Sequence, residues 1–256
     1  MITIIKNYLK IYDKLTKTYS VRILSSAVTF SIILMVIPLV MIINIVLDRI
    51  GIEATILNYT YQESGLFSSI VFIINLFWST SNLMLTFNQI GDTVYHTIDK
   101  RSYIKMRIKS FLTFLLLILF IIGMFLFIFI INYFIPQIKI LVIKYLFFFL
   151  EFIGEFISVW LITGFVYKKL IPVKIKLKNT LTISMIITVI WYLLTSIFFP
   201  IIEWFIIDNY IEIYKTYASI FLLIYYLYIM VYVFICGIIF HYFLYLKKNK
   251  TIKLGQ

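Results

Sequence analysis

"LFFFLEFIGEFISVWLITGFVY", residues 146–167, holds two charged side chains, Glu151 and Glu155, in 22 positions. An apolar helix of about 20 residues crosses a hydrocarbon core of roughly 30 Å. The run is continuous rather than alternating every second residue, so a barrel strand does not fit it. In lipid the backbone must satisfy its own polar groups, which leaves a helix. The stretch reads as a transmembrane helix, and the rest of the chain repeats it.

Composition points the same way. The 256 residues are 63% hydrophobic and 13% charged, against about 25% charged in ordinary soluble domains. A soluble core of this size could not take so many Ile, Phe and Leu out of water. Six apolar runs stand out: Ile23–Leu47, Leu66–Ile90, Ile108–Phe134, Leu146–Tyr167, Leu181–Phe199 and Ala218–Leu246. The expected fold class is an all-α integral membrane protein. It is a six-transmembrane-helix bundle in a single membrane domain, 1–256, with boundaries good to a few residues. The last run is long enough to tilt or to protrude.

Residues 1–22 lack the apolar core of a cleavable signal peptide. They place Ile4, Tyr8, Ile11 and Leu15 on one helical face with lysines elsewhere. That pattern predicts an N-terminal amphipathic interfacial helix on an anionic membrane surface, a frayed polar terminus being the alternative. The single cysteine, Cys236, excludes an intrachain disulfide.

Orientation follows from the cations. Of 23 Lys and Arg, nineteen fall in the N-terminus, in the second and fourth loops and in the C-terminus. Four fall in the alternate loops: Arg49, Lys139, Lys144 and Lys215. A positive-inside bias of this size predicts cytoplasmic termini and a multi-pass protein of a bacterial inner or plasma membrane. The net charge of +12 is expected to meet anionic lipid at the cytoplasmic face, not nucleic acid. A homo-oligomer is left open.

Two sets of polar residues interrupt the spans. In the second, Ser68, Asn75, Ser79, Asn82, Thr86 and Gln89 share one helical face, opposite Ile70, Phe77 and Leu85. Amides facing lipid would cost several kcal/mol each. The stripe is therefore expected to pack on other helices or to line a cavity or substrate path. In the fourth, Glu151 and Glu155 lie one turn apart and project to the same side. Their expected partners are the second-span stripe, tyrosines or water. They read either as a neutral hydrogen-bonded pair bracing the bundle or as a proton-coupled or cation-attracting site. Pro38 is expected to kink the first span. Gly154 permits close approach of a neighbouring helix.

His96 and His241 form no HExxH pattern, and no cysteine pair or glycine-rich phosphate loop is present. No metal and no cofactor are expected, and the chain reads as a non-enzyme.

Ordered motifs resemble the YihY/BrkB family. "SSAVTFSIILMVIPLV" (25–40) is similar to the family's first span through Ala27, Phe30, Pro38 and Leu39. "LFWSTSNLMLTFNQI" (76–90) resembles its polar second span through Trp78, Ser79 and Asn88. "YKKLIPVKIKLKNTL" (167–181) matches its basic loop around Pro172, and 214–237 resembles its last span with Tyr217 and Gly237. Ala218 and Ile239 depart from the glycine and glutamate expected at those places. The resemblance implies a six-span inner-membrane protein linked to virulence or to export of lipid-like envelope molecules. The ribonuclease label attached to the family finds no nuclease site here. The leading expectation is transport or translocation of such a molecule; the alternative is a structural or regulatory membrane protein that assembles with partners.

Overall fold

The computed structural model describes residues 11–49, 66–97, 102–134, 141–173, 176–208 and 212–248. Every regular element among them is helical. A helical stretch at 11–18 precedes six long helices: α1 (Val21–Arg49), α2 (Leu66–Tyr95), α3 (Tyr103–Phe134), α4 (Leu141–Leu170), α5 (Leu177–Asp208) and α6 (Glu212–Lys248). Each of the six apolar runs falls inside one of them. The helices run through Pro38 in α1 and Pro200 in α5.

Five helices are long and apolar enough to cross a membrane, through Val21–Val40, Tyr103–Gly123, Phe148–Leu170, Leu177–Glu203 and Ala218–Leu246. The described α2 is as long as its neighbours but is not among them. Asn75, Ser79, Thr80, Ser81, Asn82, Thr86, Asn88 and Gln89 dilute its apolar character.

Neighbours in sequence are neighbours in space. The helices form a ring in chain order, closed by α1 against α6, with α2 also touching α4 and α6. The core joins Val28, Leu83, Ile90, Tyr167, Ile183 and Ile235; its buried helical members come from the five helices other than α3, which adds Leu117 at its edge.

Packing is uneven along the ring. Buried side chains occur at 79–95 in α2, at 107–114 in α3 and at 163–170 in α4. They occur at 180–188 in α5 and at 231–243 in α6. None of the described side chains at 70–78, 115–127, 145–162, 189–203 or 218–230 is buried. The tight half is the one whose loops carry the cations; in the other, which we call the loose half, the described side chains of α2 to α6 are half-buried or exposed.

Three aromatic donors fasten their helices to the backbone of α6. Trp191 Nε1 donates to the Met230 carbonyl at 3.0 Å, and Tyr167 Oη to the Phe234 carbonyl at 2.8 Å. Tyr12 Oη donates to the Cys236 carbonyl at 3.0 Å. A helical carbonyl has a second lone pair beyond its own ladder bond, so these contacts cost α6 nothing.

Of the apolar face expected at the N-terminus, Leu15 packs on the core and Ile11 is half-buried. Tyr12 and Tyr19 also pack on the core, whereas Asp13, Lys14 and Lys17 are exposed; Ile4 and Tyr8 lie outside the described residues. The chain then turns at Ser20, whose φ of 47° is left-handed.

Candidate functional site

The polar stripe of α2 borders the buried face instead of forming it. The deepest positions are Thr80, Ser81, Ile90 and Val94. Ser79 is buried, Asn82 and Thr86 are half-buried, and Asn75 and Gln89 are exposed; the Ser68 side chain lies outside the described residues. Leu85, expected on the lipid side, is 5% exposed, and Phe77 meets Phe111 of α3 edge-on at 4.6 Å. The reason is local. Thr80 donates to the Leu76 carbonyl at 2.7 Å, Ser81 to Trp78 at 3.0 Å and Thr86 to Asn82 at 2.9 Å. Hydroxyls satisfied by their own helix can be buried against any neighbour.

Between α2 and α3 the sequence hid a cation. Arg107 counts as a loop residue by composition, but α3 begins at Tyr103, which places Arg107 one turn inside the helix and leaves it 7% exposed. Its guanidinium sits 3.7 Å from the Trp78 ring centre and 4.7 Å from that of Tyr103. Nη1 donates to Ser81 Oγ at 3.1 Å and Nη2 to the Tyr103 hydroxyl, while Nε is buried without a partner. Among the described residues no carboxylate lies within ion-pair distance of it. Two aromatic faces stand where a counter-ion would. Further along the seam, Asn88 Nδ2 donates to Ser110 Oγ at 3.4 Å. The Tyr103–Arg107 spacing was visible in sequence; the Trp78 partner was not.

Glu151 and Glu155 lie half-buried in the loose half of α4. Phe152 and Phe156 flank Tyr192 of α5 at 5.9 and 5.5 Å, and Glu155 lies within electrostatic reach of that tyrosine. A tyrosine was among the partners expected for the pair. Gly154 brings α3 close as expected: a Cβ there would meet Phe127 Cε1 at 2.9 Å.

Deeper in the tight half, the Tyr167 ring stacks on Phe234 at 4.5 Å. Gly237 makes room for it, since a Cβ there would collide with the Tyr167 hydroxyl. His241 is 1% exposed and its Nε2 is buried without a partner. Ile239 is fully buried. A second close approach sets Gly91 of α2 against the Leu170 carbonyl, with the exposed Pro172 of the basic loop beside it.

At the end of the tight half, Tyr19 Oη and His96 Nε2 are 3.1 Å apart, and both rings approach Tyr242. Burial pushes the Tyr19 phenol up to about 12 and raises those of Tyr12 and Tyr95 as well. All three stay neutral through the physiological range, as their positions demand. Among the described residues no group of three or more His, Cys, Asp or Glu could hold a metal ion.

The positions that carry the resemblance therefore have distinct structural jobs. Trp78 covers Arg107, Asn88 bridges to α3, Pro172 lies beside Gly91 and Gly237 admits Tyr167. Pro38 is buried, and Ala27 and Phe30 are exposed on α1; the Tyr217 side chain lies outside the described residues. The family model for virulence factor BrkB matches residues 16–255. The chain belongs to this family. No curated protein and no solved structure matches it. As a BrkB-family chain with five helices apolar enough to cross a bilayer, it is a multi-pass membrane protein.

Proposed function

We propose that this BrkB-family protein translocates a lipid-like or other amphipathic envelope molecule across a bacterial inner or plasma membrane. In this reading all six helices cross, both termini are cytoplasmic, and the N-terminal segment rests on anionic lipid. The observation that supports it is the uneven packing. The half beside the cationic loops is sealed by Tyr167, Ile183 and Ile235, whereas the other half buries no described side chain at 145–162 or 218–230. A bundle closed at one end and loose at the other has the form of a translocator held in one access state. Glu151 and Glu155 line the loose half, and the α2 stripe supplies Asn82 and Thr86 beside the ring's interior.

Reconstitution in liposomes tests this with lipid-scrambling and solute-flux assays run side by side. Movement of a labelled amphiphile above protein-free vesicles is expected, and Glu155→Gln lowers it or removes its pH dependence, because an amide cannot titrate. No movement of any probe by folded protein overturns the reading. Reporter fusions fix the orientation: His96 reads cytoplasmic and Asp208 external. The second reading is a non-transporting protein that assembles with partners or with its own copies. It is favoured by the exposed amides of Asn75 and Gln89, which a partner would cover.

A further inference from the structure

The seam between α1 and α6 carries a cleft of about 430 Å³ on the outward side of the ring, within the roughly 300–1,000 Å³ of small-ligand sites. Its α1 wall is Ser26, Thr29, Phe30 and Ile33, and its α6 wall includes Phe221, Tyr225 and Tyr228. The body is apolar and open to the surface: Phe30 is 62% exposed and Phe221 72%. Exposed aromatic surface of this kind is at home against acyl chains.

One end of the cleft is not apolar. Arg22, Ser26, Thr29 and Ile33 step by four, three and four residues and so share a face of α1. On α6, Tyr232, Tyr228, Tyr225 and Phe221 do the same in the opposite direction. Arg22 is exposed at the first turn of the crossing segment and lies within electrostatic reach of Tyr232. Arg22 does not itself line the cleft; it stands one turn beyond Ser26 on the same face of α1, at the start of the crossing segment. Two turns further on, Thr29 is 5% exposed and its Oγ1 is buried without a hydrogen-bond partner. Its neighbours Ser25 and Ser26 bond their own helix, to the Val21 and Arg22 carbonyls at 2.7 and 3.0 Å. With its Oγ1 buried, Thr29 lines the wall without offering its hydroxyl to the cleft surface. It sits about 10 Å along the axis from Arg22.

We infer that the α1–α6 cleft is a binding site for one anionic glycerophospholipid. Arg22 takes the phosphate, and one acyl chain lies between Phe30, Ile33, Phe221 and Tyr225. Charge complementarity selects this occupant. A planar guanidinium at the interface pairs with phosphate through two parallel N–H bonds, and Lys14, exposed on the preceding helical stretch, adds to the positive field, whereas Lys17 is paired with Asp13 at 2.8 Å. The site does not depend on translocation. A protein that holds lipid here and moves nothing would keep this inference and remove the proposed function.

The test is photocrosslinking in nanodiscs. Phosphatidylglycerol or phosphatidylcholine carries a photoreactive group on its acyl chain, and labelled peptides are mapped. Wild-type protein is expected to be labelled at 26–33 and 221–228 at least fivefold more by phosphatidylglycerol than by phosphatidylcholine. Arg22→Gln should abolish that preference while chain labelling persists. Ser26→Trp, which fills the cleft, should lower labelling by both lipids, with labelling near Leu119 as the reference for the general lipid-facing surface. Equal labelling by both lipids, an unchanged preference in Arg22→Gln, or labelling no denser at the cleft than near Leu119 each overturns the inference. Should Ser26→Trp fail to fold, Arg22→Gln and the wild-type map decide alone.

Discussion

A methyl group added at Gly237 would strike the hydroxyl and ring of Tyr167 and crowd Ile187. Tyr167 is fully buried and held by its bond to the Phe234 carbonyl, so it cannot swing away without losing that bond. Gly237→Ala is expected to cost about 1–3 kcal/mol as overpacking, and Tyr167→Phe about 0.5–1.5 kcal/mol as a lost hydrogen bond. Removing the hydroxyl also removes the nearest obstacle, so the double variant should cost less than the sum. Melting temperatures of the purified protein in detergent check the cycle; strictly additive losses would show that the two residues do not meet as described. Little of this was visible in the chain. Gly237 stood out as a family position, but its reason lies 70 residues away in Tyr167. Arg107 was hidden in the same way, because Trp78 and Arg107 are joined by no spacing rule.

Among the elements, α6 was the most legible: the expected Ala218–Leu246 coincides with its crossing segment. Its apolar run is unbroken, and lipid demands a helix wherever such a run occurs. The bounds of α1, α4 and α5 were also near, each helix overrunning its expected span at both ends. The rotation of α2 was not legible. In sequence the amides of its stripe point to an inward face, whereas Asn75 and Gln89 are exposed and Thr80 and Ser81, satisfied on their own helix, are buried in their place. The ring closes on α2 from two sides, so the stripe lies on a shoulder. Cysteine substitutions in a Cys236→Ser background measure the difference. Those at Asn75 and Gln89 should react quickly with a small aqueous thiol reagent, Asn82 slowly, and Thr80 and Leu83 not at all. Rapid reaction at Leu83 together with silence at Asn75 would show that α2 is turned the other way.

At the scale of the molecule, the ring buries its described side chains mainly where cations crowd its loops. Hydrogen exchange in nanodiscs should follow that division, because local opening is easiest where few side chains are buried. Amides at 163–170 and 231–243 are expected to be protected at least tenfold more than those at 145–157 and 218–228. Uniform protection along α4 and α6 would contradict the division. The fastening of α6 has a further result for how such a chain can diverge. Trp191, Tyr167 and Tyr12 grip main-chain oxygens at 230, 234 and 236, and every amino acid presents that oxygen. Mutational drift at Met230 and Cys236 can therefore proceed without untying the helix, while the three aromatic donors and the glycine at 237 are held in place. Descendants of one ancestor could come to share almost no letters along this helix and still be assembled by the same three grips.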